Sequence, residues 1–231
     1  SLEGAIESRQ SSKGNTSYKF GAARSSGDGT IDDGDHQFKR FNLQMQHTSD
    51  QTQTDLIFGY QDKFYAWPGA YTGFAIYPET DHTKTLLALV NHKKETSNGW
   101  WEMAGFYRRL RDDYDYDRTT KESGLPGSFD HETRVYGTSI QARVNAREVT
   151  WRFSSQLSAD ELVYSTDLTH GKFYSRSYLK TSIVPERTFF YGDNLSMRIR
   201  GGVSFDWSNR DDSKILPLLG ITIFKEQENA S

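Results

Sequence analysis

Leu195-Ser196-Met197-Arg198-Ile199-Arg200-Gly201-Gly202-Val203-Ser204-Phe205-Asp206-Trp207 decides the fold class. Every odd position is apolar or Gly, and every even position is polar or Gly. A side-chain period of two over such a length predicts one extended strand with an apolar face and a wet face. The same alternation runs through Phe41-Asn42-Leu43-Gln44-Met45-Gln46 and through Trp151-Arg152-Phe153-Ser154-Ser155-Gln156-Leu157. In the stretch from Tyr136, one face carries Tyr136, Thr138, Ile140, Ala142 and Val144, and the other Gly137, Ser139, Gln141 and Arg143. No stretch has helical periodicity.

Eleven candidate strands follow, at residues 2–10, 16–24, 37–47, 52–61, 83–94, 99–111, 132–144, 148–158, 171–184, 194–208 and 214–225. Asn98-Gly99 is a hairpin signal, and Gly192-Asp193-Asn194 is similar. The predicted strands run to about 9–15 residues, against about 5–6 in globular sheets and about 9–11 in tilted membrane-barrel strands. Arg, Gln, Asn and Ser on the polar faces suit a wet lumen better than a packed core.

The 231 residues carry 28 Lys+Arg against 31 Asp+Glu, a formal net charge of -3, with a mean hydropathy of -0.77. That balance argues against nucleic acid as a partner. There is no apolar run of the roughly 18 residues that a transmembrane helix needs. With no Cys, disulfides and thiolate metal sites are excluded. Yet 14 % of the residues are aromatic, which a disordered polar chain would lack. The chain is ordered but has little apolar mass for an ordinary core.

Connections alternate in length. Short ones fall near 11–15, 48–51, 95–98, 145–147 and 185–193, the last being the loosest, with a strand that can run on through Phe189-Phe190. Long ones fall near 25–36, 62–82, 112–131 and 159–170, with a shorter one at 209–213. This is the pattern of an outer-membrane β-barrel, with short periplasmic turns and long extracellular loops. The expected fold is therefore all-β, a transmembrane antiparallel up-and-down β-barrel placed in the bacterial outer membrane. An odd strand count, an external N-terminus, the start at Ser1-Leu2-Glu3-Gly4 and the charged tail from Phe224 to Ser231 suggest a piece of a larger barrel. Eleven is half of the 22 strands of plugged outer-membrane transporters. The competing reading is a complete barrel of 10 or 12 strands.

Two runs resemble a known family. Gly59-Tyr60-Gln61-Asp62-Lys63-Phe64-Tyr65-Ala66-Trp67-Pro68-Gly69-Ala70-Tyr71-Thr72-Gly73-Phe74 is similar to the third-to-fourth-strand region of TonB-dependent outer-membrane receptors, and Gly105-Phe106-Tyr107-Arg108-Arg109-Leu110-Arg111-Asp112-Asp113-Tyr114-Asp115-Tyr116-Asp117 resembles the vitamin B12 and siderophore receptors among them. The resemblance implies import of a large, scarce nutrient such as a corrinoid or metal chelate. It also implies TonB as a partner through a plug domain that precedes the barrel and is absent from this sequence. Members of the B12 branch bind calcium with loop carboxylates. The matching positions are Asp33 and Asp35 in Ile31-Asp32-Asp33-Gly34-Asp35-His36 and Asp81 in Glu79-Thr80-Asp81. Calcium takes six to eight hard oxygens, which Asp clusters on loops can supply. The alternative is that Asp-Gly-Asp is ordinary turn chemistry.

The loop between 62 and 82 holds Phe64, Tyr65, Trp67, Tyr71, Phe74 and Tyr77. Rigid aromatics grip a large planar ligand at low entropic cost, which makes Tyr65, Trp67, Tyr71, Phe74 and Tyr77 the candidate ligand-binding residues. Phe64 and Tyr65 also suit an interfacial aromatic girdle facing lipid and lipopolysaccharide. Asp35-His36, Asp81-His82, Asp130-His131 and Thr169-His170 each close a long loop, so His could ring the outer rim as metal ligands or simply suit the headgroup level. Asp112, Asp113, Asp115 and Asp117 alternate with Tyr114 and Tyr116 and read as a strand extended above the bilayer. No G-x-S-x-G, H-E-x-x-H or glycine-rich phosphate loop occurs, and no enzymatic activity is expected. The receptor reading stands beside two others, a complete passive porin-like channel of 10–12 strands and a structural wall piece of a larger envelope assembly, without transport.

Overall fold

A computed structural model describes residues 2–7, 14–71, 77–119, 127–166, 168, 175–192 and 194–225. The described residues form eleven strands and no helix: β1 (Leu2–Glu7), β2 (Asn15–Gly27), β3 (His36–Thr48), β4 (Thr52–Ala66), β5 (Thr80–Thr96), β6 (Gly99–Asp115), β7 (Phe129–Ala146), β8 (Val149–Ser165), β9 (Ser175–Tyr191), β10 (Leu195–Ser208) and β11 (Lys214–Lys225). They make one up-and-down sheet in chain order, β1 at one end and β11 at the other, with no β1–β11 pairing among the described residues. The all-β class and meander topology thus match the periodicity, and the sheet is not closed on itself.

Short and long connections alternate as expected. Residues 97–98 and 147–148 are two-residue turns, whereas 28–35, 67–79, 116–128 and 166–174 are long. Several boundaries differ from the sequence reading, and β8 runs to Ser165 instead of ending at 158. β4 and β6 continue to Ala66 and Asp115, because Tyr65 and Tyr114 keep finding partners beyond the apolar stretch. The predicted connection at 185–193 is absorbed into β9, which runs through Pro185 to Tyr191. Pro185 lacks a ladder N–H, and the β9–β10 register passes from Arg200↔Glu186 to Val203↔Ile183 without pairing Gly201 or Gly202. A Cβ at Gly202 would lie 2.1 Å from the Ile183 carbonyl oxygen, so only Gly permits the two backbones to meet there.

The chain packs as two compact units: residues 1–91, 105–136 and 159–176, and residues 92–104, 137–158 and 177–231. In the first unit, the β2–β3–β4 register places Tyr18, Met45 and Leu56 in one row, Phe20, Leu43 and Phe58 in the next, and Phe41 against Tyr60 above. The opposite face of those strands carries Lys19, Asn42, Gln44, Gln46, Asp55 and Gln61.

In the second unit, Ile199↔Ile221, Val203↔Pro217 and Phe205↔Ile215 pair across β10–β11. Their face is bare, with Leu219 82 % and Ile215 73 % exposed. The other face is an ionic ladder. The Glu186 carboxylate, buried to 7 % exposure, lies 3.5 Å from both Arg152 and Arg198, and Ser204 donates to Asp206 at 2.8 Å. Among the described residues, only two apolar side chains, Ala66 and Tyr114, are buried. Both sit at the long-loop ends of their strands, where the core of the first unit lies.

Candidate ligand-binding rim

The long-loop ends of β3 to β7 in the first unit fold into a cluster organised by one carboxylate. Glu79, just before β5, is 1 % exposed. A buried carboxylate must be paired and hydrogen-bonded. Here the Tyr71 backbone N–H donates to both carboxylate oxygens at 3.0 and 3.3 Å, and the Tyr114 hydroxyl donates from β6. Burial, and then Glu79, hold the Tyr114 phenol above its ordinary pKa. The backbone closes around the same point. The Trp67 N–H reaches the Glu79 carbonyl at 3.0 Å, and Gly69, at φ 72, donates to Tyr77 O at 3.1 Å. A chain entering and leaving this loop is thereby pinned at both ends.

Arg118 ties the neighbouring loops to it. Its guanidinium pairs with Asp35 and lies 5.7 Å above the Phe64 ring, and the Arg118 backbone N–H donates to Pro78 O at 3.2 Å. The Asp35 carbonyl accepts from Ala66 N–H at 2.8 Å. The Arg118 hydrogen bond keeps the Asp35 carboxyl below its usual range. Aromatic contacts continue the packing. Tyr71 meets Tyr114 edge-on at 5.4 Å, Tyr114 stacks on Phe129 at 5.1 Å, Phe129 on His131 at 4.6 Å, and Tyr77 meets Tyr116 at 5.0 Å.

The expected ligand-binding residues separate into two roles. Trp67 and Tyr71 are 60 % and 68 % exposed, a pair of rigid aromatics held on a pinned loop. Tyr65 and Tyr77 face inward to partners: the Tyr65 hydroxyl donates to Asp81 Oδ2 at 2.5 Å, and Tyr77 rests on Tyr116. Phe74 lies outside the described residues. Among the carboxylates read as calcium ligands, Asp35 is taken by Arg118, Asp33 sits in a turn at φ 56, and Asp81 is held by Tyr65. Asp81 Oδ1 is buried without a hydrogen-bond partner, and Asp112 lies against it. Burial first and Asp81 second push the Asp112 carboxyl upward. No group of three or more His, Asp or Glu among the described residues is arranged to hold a metal ion.

The loop-closing His lie apart on separate hydrogen-bond partners, His36 on Ser25 at 3.2 Å, His82 on Asp62 at 2.7 Å and His131 on Ser165 at 2.8 Å, while His170 lies outside the described residues. Two organising residues escaped the sequence reading. Arg118 ends an otherwise acidic run, and that lone cation was the available signal. Glu79 stood only as a companion of Asp81, and nothing local announces that it is buried. Compared with known proteins, the chain matches no protein family and no curated protein sequence.

Proposed function

We propose that the chain is wall and rim of an outer-membrane β-barrel receptor, and that the rim of β3–β7 recognises a nutrient ligand through Trp67 and Tyr71. One observation carries the reading: among the described residues, long strands bare one apolar face, keep an ionic other face, and bury almost no apolar side chain. Such a sheet has its apolar face solvated by lipid and its polar face by water. In hydrocarbon every backbone group needs a partner, so the free edges of β1 and β11 require further strands, from a longer chain or from another one. That requirement favours a segment of a larger barrel over a complete 10–12-stranded channel.

By its resemblance, the larger barrel is a TonB-dependent receptor that captures a cobalamin-like molecule or a metal chelate and imports it when TonB displaces a plug. In this scheme Trp67 and Tyr71 offer flat, rigid surface to a planar or amphipathic ligand. Glu79, Tyr114 and Arg118 keep that surface in place, and the ionic faces line the wet side.

The test is binding to the intact receptor. Cyanocobalamin, haemin and a ferric catecholate chelate are titrated with and without calcium, for the parent and for Trp67→Ala and Tyr71→Ala. Saturable binding of one of them, weakened roughly tenfold or more by each substitution, supports the reading. No binding of any, with ligand-independent conductance in planar bilayers, transfers the protein to the passive-channel class.

A further inference from the structure

The short-turn ends of β7, β8 and β9, all within the second unit, border a cavity of about 720 Å³. Sites for small molecules run to about 300–1,000 Å³. The lining mixes arginines, two carboxylates and three aromatic rings. Both carboxylates already have their cations. Glu148, in the β7–β8 turn, pairs with Arg187, and Glu186 lies 3.5 Å from both Arg152 and Arg198.

Two lining cations are left over. Arg143 on β7 and Arg147 in the turn make no ion pair among the described residues. Arg143 Nε is buried and has no hydrogen-bond partner among the described residues. A buried N–H without an acceptor is costly, so it marks a place for an acceptor from outside the chain. The rings divide in the same way. The Arg187 guanidinium caps Phe189 at 4.9 Å, whereas Tyr191 is exposed and Phe190 is 78 % exposed.

We infer that this cavity binds a planar aromatic dicarboxylate, its acidic groups on Arg143 and Arg147 and its ring against Phe190 and Tyr191. A guanidinium fork matches a carboxylate with two parallel hydrogen bonds, and bare aromatic rings stack on a flat partner. The two arginines leave the backbone roughly 10 Å or more apart, three strand rises from Arg143 to Ala146 before the turn. That spacing suits two acidic groups on one ring system better than a single one. The site stands apart from Trp67 and Tyr71, which belong to the other unit.

The test titrates terephthalate into the full chain folded in non-ionic detergent micelles, by equilibrium dialysis with protein-free micelles as the blank. The parent binds terephthalate saturably. Dimethyl terephthalate, which keeps the ring without charge, and adipate, which keeps the charges without a ring, bind roughly tenfold or more weakly. Arg143→Gln and Arg147→Gly each weaken terephthalate roughly tenfold or more, and Phe190→Ala weakens it as well. Lys84→Gln, in the first unit, leaves binding unchanged. Arg147 holds φ 55, which Gly adopts freely, so Arg147→Gly keeps the turn and decides the matter even where Arg143→Gln misfolds. Far-UV circular dichroism checks the fold of each variant. No saturable binding by the parent, equal affinity for the diester, or undiminished binding by folded Arg147→Gly overturns the inference.

Discussion

Glu79 shows how one side chain can organise a loop of more than ten residues. Its carboxylate takes the Tyr71 N–H and the Tyr114 hydroxyl, and it is almost wholly buried. Glu79→Ala takes the acceptor from the Tyr71 N–H and from the buried Tyr114 hydroxyl and is expected to destabilise the rim by about 1–3 kcal/mol. Limited proteolysis between 67 and 79 reads this as faster cleavage, with cleavage at the 97–98 turn unchanged. Asp112 works in the opposite direction. Burial and the neighbouring Asp81 raise its folded-state pKa above the ordinary Asp value of about 3.9. A carboxyl with a raised folded pKa gives stability that is present below its unfolded pKa and lost as pH rises through the folded one. Asp112→Asn therefore raises the unfolding midpoint at pH 7, and the gain shrinks to nothing below about pH 3.9. A pH-independent effect of the substitution would contradict this account of the pair. None of this is legible in the sequence, because Glu79 meets Tyr71 from its own loop and Tyr114 from β6, and Asp112 meets Asp81 from β5, only once the strands are in register.

At the scale of elements, the sequence is most readable where packing is simplest. β10 keeps strict alternation because each of its faces meets one kind of surroundings, and its predicted limits of 194–208 lie beside the observed Leu195–Ser208. The limits fail where a strand passes a local irregularity. Pro185 reads as a break, yet β9 crosses it because Gly201 and Gly202 on β10 make room. Gly202→Ala would press a methyl group on the Ile183 carbonyl and is expected to cost about 1–3 kcal/mol, measured by chemical denaturation in detergent micelles. The β7–β8 turn offers the reverse case. Arg147 holds φ 55, a region where a residue with a Cβ is strained by about 1–2 kcal/mol. Arg147→Gly should raise stability by up to about 1 kcal/mol. No gain, or a loss, would show that the Arg147 side chain contributes more than its backbone costs.

For the whole molecule, the polar composition and the abundance of aromatics go with a sheet whose strands carry one apolar and one ionic face. The exposed apolar rows of β10–β11 and the Arg152–Glu186–Arg198 ladder, built on a buried Glu186, are opposite faces of one set of strands. The loop aromatics divide between a packed set, Tyr65, Tyr77 and Tyr114, and a displayed pair, Trp67 and Tyr71. That division required the register and could not be read from composition. The absence of Cys makes the central claim directly measurable. Single substitutions Met197→Cys, Ile199→Cys, Val203→Cys and Phe205→Cys, and Arg198→Cys, Ser204→Cys and Asp206→Cys, are placed in the full chain inserted into phospholipid vesicles. Each is exposed to a membrane-impermeant maleimide present on both sides of the bilayer, and then to a lipid-borne quencher after fluorophore attachment. The account predicts a period of two, with even positions labelled from water and odd positions shielded from it and quenched from lipid. Equal aqueous labelling at odd and even positions would contradict a membrane-spanning wall.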